Sequence, residues 1–332
     1  MDLRNNFWST ARKKYSIYMV LVTLFIVCSF VNENFLSVNN LTNISRQLAV
    51  TTILAFGETM LIICGMLDLS AGSVLALSGV FAVYTYKMYG SLLAAVLVGI
   101  LTGVVCNLIN VVMISTFKAP PFIATLAMMT MARGVALLFT KGQNILQLGN
   151  FVVLGQGSIG IIPIPVVFLI VVAIFTWYIL KHTRFGRSLY AVGGNEEASI
   201  ASGINVHKVK YMAFIINGVL VGLAGVLFMS RVNAGLPNGA INYEFTALTA
   251  AIIGGTSFSG GIGTAGGTLA GAFIVGFLDN IMNLTNIDSY VQQIIRGAII
   301  ALAVIYDIHS KNRRTKSMLG RIDDRAVEKK PN

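Results

Sequence analysis

Long apolar runs separated by short polar connections dominate the chain, at residues 15–31, 48–66, 72–86, 91–114, 121–140, 161–180, 211–230, 245–258, 265–285 and 290–306. About 20 apolar residues in a helix match the ~30 Å hydrocarbon layer of a bilayer, so these windows predict ten spans. The runs are continuously apolar rather than alternating with period two, which points to helices and not to a transmembrane barrel. Windows 72–86 and 245–258 are short, and either is expected to be broken or re-entrant. The expected fold is all-α, a polytopic membrane protein of about ten transmembrane helices with broken or re-entrant segments. A single transmembrane domain over 15–306 lies between an N-terminal tail, 1–14, and a basic C-terminal tail, 307–332.

The largest polar interruption, residues 181–210, contains Gly193-Gly194-Asn195-Glu196-Glu197-Ala198-Ser199-Ile200-Ala201-Ser202-Gly203. Asn195 suits an N-cap, Glu196 and Glu197 fall in the first turn where the helix dipole favours negative charge, and Gly203 suits the left-handed residue that ends a helix. The pattern predicts a two-turn helix. So short a helix is marginal in water alone and must be held by packing against the membrane part or another protein. The alternative is a solvated loop between two spans.

Composition sharpens the picture: 55% of residues are hydrophobic and 11% charged, against about 25% charged in soluble domains. The charge balance of +11 is distributed by topology. Arg4, Arg12, Lys13 and Lys14 precede the first span, Lys181, Arg184, Arg187, Lys208 and Lys210 flank the mid-chain loop, and the tail carries Lys311, Arg313, Arg314, Lys316, Arg321, Arg325, Lys329 and Lys330. These segments are expected in the cytosol, with both termini, leaving Arg46, Lys87, Lys141 and Arg231 for the other side. The tail fits contact with anionic membrane lipid, and no basic module interleaved with aromatics points to nucleic acid. Residues 15–31 lack a small-x-small cleavage site and read as an uncleaved first helix. Cys28, Cys64 and Cys106 have unrelated spacing and read as packing residues, while His182, His207 and His309 lack metal-ligand spacing.

Gly261-Ile262-Gly263-Thr264-Ala265-Gly266 fits the dinucleotide fingerprint, but the motif needs a strand before it inside a soluble βαβ unit, and a membrane span precedes it here. No G-x-x-x-x-G-K-[ST] occurs, so an ATPase would have to be a separate chain. Two glycine-interrupted turns break apolar runs: 64–73, with Asp68, Ser70 and Gly72, and 254–264, with Gly254, Gly255, Thr256, Gly260 and Gly261. Irregular backbone at membrane depth is tolerated only where it is buried in protein or lines a watery cavity, and paired broken segments often mark a transport path. Asp68 has two readings, a cap on a helix starting near Leu69 or an acid that meets substrate or couples motion; the Asp-Leu-Ser order favours the cap. Glu58, Arg133, Asp279 and Arg296 are the charges in or near spans, expected to face the bundle interior or snorkel. Spacings Gly99-x-x-x-Gly103, Gly218-x-x-x-Gly222 and Gly267-x-x-x-Gly271 suit close helix packing.

Taken together these segments resemble the permease subunits of bacterial ABC importers for monosaccharides, the ribose and allose permease group, along nearly the whole chain. Asp68-Leu69-Ser70-Ala71-Gly72-Ser73 is similar to that family's G-G-I-D-L-S-V-G-S, and Pro121-Phe122-Ile123-Ala124-Thr125-Leu126 with Arg133-Gly134 to its fifth-span pattern. Thr183-Arg184-Phe185-Gly186-Arg187, Tyr190-Ala191-Val192-Gly193-Gly194-Asn195-Glu196-Glu197-Ala198 and Ser202-Gly203-Ile204 resemble its cytosolic signature. Ile253-Gly254-Gly255-Thr256-Ser257-Phe258-Ser259-Gly260-Gly261-Ile262-Gly263 resembles its I-G-G-T-S-x-x-G-G-x-G turn. Met66, Ile262 and Ser199 depart from the family pattern, and Met66 puts substrate contact at its turn in question.

The resemblance implies a multi-pass protein of the bacterial cytoplasmic (inner) membrane that carries no cofactor and is not itself an enzyme. Its implied partners are a cytosolic ABC ATPase using ATP and Mg, an extracytoplasmic sugar-binding protein and a second permease subunit, in a homodimer. The loop from Gly193 to Gly203 is then the element coupled to the ATPase, with Glu196 and Glu197 facing basic groups on it. Two alternatives stay open: a secondary active sugar transporter, for which Glu58 and Asp68 are the candidate acids, and an ABC permease for a different small polar solute. Branched-chain amino acids are carried by more distant relatives.

Overall fold

The computed structural model describes residues 2–302, 304, 305 and 309, with side chains from residue 16 onward. The basic residues expected in the N-terminal tail and those from Lys311 on lie outside the described side chains. The elements in chain order are α1 (Asp2–Val31), α2 (Val38–Ile63), α3 (Ala71–Tyr89), α4 (Leu92–Val111, continued by a π-helical turn, Val112–Thr116), α5 (Pro121–Thr140), α6 (Val153–Gln156), α7 (Ile164–His182), α8 (Arg184–Gly194), α9 (Glu196–Ala201), α10 (Val206–Val232), α11 (Tyr243–Ile253) and α12 (Ala265–Leu284). A last helix covers residues 289–302. The backbone of 2–14, expected as a tail, is helical and continuous with α1.

The expectation of an all-α membrane protein holds, but the count of ten spans is not established. Among the described residues six helices are long and apolar enough to cross a bilayer: α2, α4 with its π-turn, α5, α7, α10 and α12. The apolar part of α1, Ser16–Val31, and α11 are shorter. At 1.5 Å per residue, α11 reaches about 16 Å, roughly half the hydrocarbon thickness. Its 11 residues stop at Gly254 because the following glycines turn the chain.

Local chemistry sets the helix ends. Ser37, Ser91 and Thr264 accept from the backbone N–H three residues on, and Pro occupies the first turns of α5 and α7, where its missing N–H costs nothing. Two short antiparallel pairs, Ile145–Leu146 with Ala234–Gly235 and Ser158–Ile159 with Ile162–Pro163, fold the connections at one end of the bundle. Lys87 Nζ donates to the Leu146 carbonyl there, Arg46 donates to the carbonyl of Gln156, and the Gln156 amide donates to the Arg231 carbonyl. Lys87, Arg46 and the backbone of Arg231, three of the four positions assigned to the side away from the loop, therefore bind the connections at this end.

α2 and α10 form the centre of the bundle, with 83% and 78% of their apolar windows buried against 28% for α4 and α5, which turn most of theirs outward. The glycine spacings face one another. Gly99 and Gly103 of α4 lie against Gly218 and Gly222 of α10, and a Cβ on Gly222 would sit 2.6 Å from Cα of Ile100. Gly267 and Gly271 of α12 meet Gly254 and the Ala250 carbonyl in the same way. With lipid outside, such backbone-to-backbone packing gains dispersion energy that a burial argument from water does not supply.

Gly222→Val is expected to destabilise the detergent-purified protein by about 1–3 kcal/mol through overpacking, read as a fall in melting temperature and membrane abundance. Gly134→Ala, where an added Cβ meets nothing within 4 Å, is expected to be neutral or to stabilise by up to ~1 kcal/mol. Equal stability of the two variants would contradict the packing described.

Candidate functional site: two helix breaks and the loop helices

The first break runs from Cys64 to Ser70. Gly65, at φ +77°, turns the chain after α2, and the Gly65 and Met66 N–H groups close on the Ile62 and Leu61 carbonyls. Asp68 is fully enclosed. Its Oδ1 accepts from the Ser70 N–H at 2.8 Å and from the Ser70 hydroxyl, and its Oδ2 accepts from Asn217 Nδ2 of α10 at 2.9 Å. The same Asn217 amide donates to Asn107 Oδ1 of α4 at 3.0 Å, and Asn110 Nδ2 donates to Ser70 Oγ at 3.0 Å. The Asp68 N–H donates to Glu58 Oε2 at 3.3 Å. The helix starts at Ala71 rather than near Leu69, and its N-cap Ser70 makes no side-chain cap bond. Asp68 therefore acts two residues ahead of the cap position, holding the turn and tying it to α10. Buried polar groups are costly unless satisfied, and this network of Glu58, Asp68, Ser70, Asn107, Asn110 and Asn217 joins four helices across the apolar core.

The second break, residues 254–264, carries three left-handed glycines, Gly255 at φ +86°, Gly260 at +82° and Gly261 at +73°. It reaches the first break directly, because the Gly261 N–H donates to the Ile63 carbonyl at 2.9 Å. Thr59 of α2 and Thr268 of α12 share a hydrogen bond of 2.6 Å just inside. Gly254 packs on Gly267, and Thr256 is buried. Sequence reading marked both breaks but not their contact.

Of the loop helices, the one before α9 packs on both breaks. The α9 helix has the expected caps: Asn195 Oδ1 accepts from the Ala198 N–H at 2.9 Å, and Gly203, at φ +79°, closes the end as the Ile204 N–H reaches the Ser199 carbonyl at 3.0 Å. Before it stands α8, capped by Thr183 and not expected from sequence. At its end a Cβ on Gly193 would collide with the Ile63 carbonyl and lie 2.9 Å from the Gly261 nitrogen, and a Cβ on Gly260 would lie 2.6 Å from the Gly193 carbonyl. Tyr190 Oη donates to the Gly263 carbonyl at 2.8 Å. Burial pushes the Tyr190 hydroxyl up from its ordinary range, so it remains a neutral donor.

Beyond that junction α9 turns outward. Asn195, Glu196, Glu197, Ala198 and Ile200 are exposed and Ser199 is buried. The two acids differ: Glu196 receives both of its carboxylate bonds from Lys210 Nζ, at 2.8 and 2.9 Å, whereas Glu197 forms no ion pair among the described residues. The pair is half exposed and contributes at most about 1 kcal/mol, yet it withdraws Glu196 from the outward role expected of it.

Arg133 finds backbone partners, its Nη1 donating to the Pro237 and Gly239 carbonyls at 2.7 and 2.8 Å. Gly72 touches an acid that sequence reading missed, the buried Glu244 of α11, whose carboxylate occupies the space a Cβ on Gly72 would need. Asn107, Asn110 and Asn217 were missed as well; a lone Asn in an apolar span was the available signal. Among the described residues no three His, Cys, Asp or Glu side chains converge as a metal site.

A family profile described as "Branched-chain amino acid transport system / permease component" matches residues 40–304. The ribose import permease protein of Haemophilus influenzae is 40% identical over 295 residues, covering 87% of this chain and 91% of that protein. The D-allose transport system permease protein of Escherichia coli K12 is 36% identical over 304 residues, covering 91% and 92%, and its L-arabinose transport system permease protein is 34% identical over 304 residues, covering 91% and 93%. No solved structure gives a significant match.

The Asp68 network sorts its variants. Asp68→Asn keeps one acceptor for Ser70, and the Asn217 amide, whose Oδ1 has no partner among the described residues, can turn to meet the new donor at the cost of its bond to Asn107. That variant should keep most transport. Asp68→Ala strands the Ser70 and Asn217 donors, at about 1–3 kcal/mol for each buried group, and should lower abundance. Loss of transport in Asp68→Asn at normal abundance would show instead that the charge itself is required.

Proposed function

Because the chain belongs to the family of transport-system permease components whose profile it matches, we propose that it is the membrane subunit of an ATP-driven importer for a monosaccharide. The sugar is delivered by an extracytoplasmic binding protein, ATP and Mg are used by a separate cytosolic ATPase, and a second copy of the permease completes the path. The chain lies in the bacterial inner membrane with both termini in the cytosol, and ten segments enter the bilayer, α11 as a half-length one. Relatives named for ribose, allose and arabinose support a sugar of that kind, although the profile's description names branched-chain amino acids.

The observation that carries this reading is the wedge formed by the end of α8 between the two helix breaks. The α9 helix is too short to stand alone. It is anchored through Gly193, Tyr190 and Lys210 and exposes Glu197 and Ile200 outward, an apolar side chain on a face without lipid. A partner that moves α9 moves α8. Because Gly193 bears directly on backbone of both breaks, the push displaces the ends of α2, α11 and α12 together, converting ATPase closure into a shift between outward and inward openings. Enclosure of Glu58 and Asp68 in a structural network favours this drive over a proton or sodium gradient.

In a background lacking Cys28, Cys64 and Cys106, single cysteines at the exposed positions of 195–203 should crosslink to the ATPase, with a yield that changes on adding ATP. Tyr190→Phe should keep assembly and ATP hydrolysis while sugar imported per ATP falls roughly 2- to 10-fold, the loss of one hydrogen bond. Reconstituted uptake of D-ribose, D-allose and L-arabinose against L-leucine decides the substrate class. Absence of crosslinks from every position, with import intact, would remove the coupling role.

A further inference from the structure

Two charges flagged in the apolar runs, Asp279 of α12 and Arg296 of the last helix, take no part in the junction. They meet each other, with Arg296 Nε donating to Asp279 Oδ1 at 2.8 Å. The contact is single-point, through the Nε side of the guanidinium: among the described residues both Nη groups of Arg296 make no hydrogen bond and Oδ2 of Asp279 accepts none. The Arg296 side chain is 36% exposed and that of Asp279 8%. Both line a cavity of about 350 Å³ between α11, α12 and the last helix. Thr246 and Thr249, one turn apart on α11, and Gln293, one turn before Arg296, supply further polar groups to it, and Phe245 supplies an aromatic ring 40% exposed. A smaller recess shares Thr246 and Asp279 and extends to Gln47 and Thr51 of α2.

We propose that this cavity holds a monosaccharide in transit, an assignment that rests on the importer reading above. The ion pair is neutral overall, so it favours a neutral ligand over an ion. Its free guanidinium edge offers forked donors and its free carboxylate oxygen an acceptor, the two halves of a contact to neighbouring hydroxyls. The threonine hydroxyls have acceptor capacity left after bonding to the Asn242 and Phe245 carbonyls. The Phe245 ring suits the C–H face of a sugar. A lipid chain would satisfy none of these polar groups, and leaving them unpaired in an apolar layer is costly. The volume lies at the lower end of small-molecule sites, roughly 300–1,000 Å³, and single-point anchoring fits a site that must release what it holds.

The test uses the complete complex in proteoliposomes, with its ATPase and binding protein, and whichever of D-ribose, D-allose and L-arabinose the parent imports. Thr249→Trp fills the cavity, and Arg296→Gln removes the forked donors. Each should cut import about tenfold or more while ATP hydrolysis stimulated by the binding protein stays near the parent value. Thr249→Cys, in a background without the native cysteines, should react with a small polar thiol reagent and be protected by the imported sugar but not by L-leucine. Parent-like import by Thr249→Trp, or labelling that the sugar does not slow, would overturn the assignment; the cysteine result decides if the tryptophan variant fails to assemble. A parent complex that imports none of the three sugars would instead overturn the importer reading on which the assignment rests.

Discussion

The carbonyl of Ile63 is the point on which the structure turns. It ends α2, accepts the Gly261 N–H of the second break at 2.9 Å, and lies where a side chain on Gly193 would have to be. Three segments distant in sequence thus touch through main chain alone. A contact between backbones has no rotamers to absorb a displacement, so movement of the loop cannot be taken up by side-chain adjustment. That constraint explains glycine at 193, 260 and 261 better than flexibility does, although the last two also need a left-handed backbone.

The rest of the bundle makes the constraint effective. Interlocking glycines on α4 and α10 bring those backbones together, and the Asp68 and Asn217 pair fastens the start of α3 to α10. The Thr59 and Thr268 bond fastens α2 to α12 beside the junction. A polar network inside an apolar core is weak evidence for added stability, since each group sacrifices hydration. Its value is registry: it defines which turn of one helix faces which turn of the next, where leucines could slide.

Much of this was legible from residues alone. Hydropathy located a helix in each apolar window; Asn195, Glu196, Glu197 and Gly203 marked α9 because capping is local chemistry, settled within a few residues. The glycine spacings identified faces that pack closely, though not which face meets which. What sequence could not show was long-range. The contact of the two breaks, the pairing of Glu196 with Lys210, and the convergence of Asn107, Asn110 and Asn217 on Asp68 each join residues that periodicity treats independently. Asp68 shows the limit well: capping logic identified a structural acid, but its hold on Asn217, 149 positions away, depends on the fold. The count of ten spans is not established for a related reason, because an apolar run such as 245–258 reads the same whether it continues as helix or turns at Gly254 and Gly255.

Adjacent glycines offer the most direct test. Gly193 bears on the Ile63 carbonyl and Gly261, whereas a Cβ on Gly194 would meet nothing within 4 Å. Both sit at the end of α8, so alanine changes their helix propensity alike. Sugar import per ATP hydrolysed is measured for Gly193→Ala and Gly194→Ala in complexes of matched subunit composition and thermal stability. Transmission through the backbone junction predicts that Gly193→Ala loses most import while still hydrolysing ATP and that Gly194→Ala retains the parent ratio; the same ratio in both variants would contradict it.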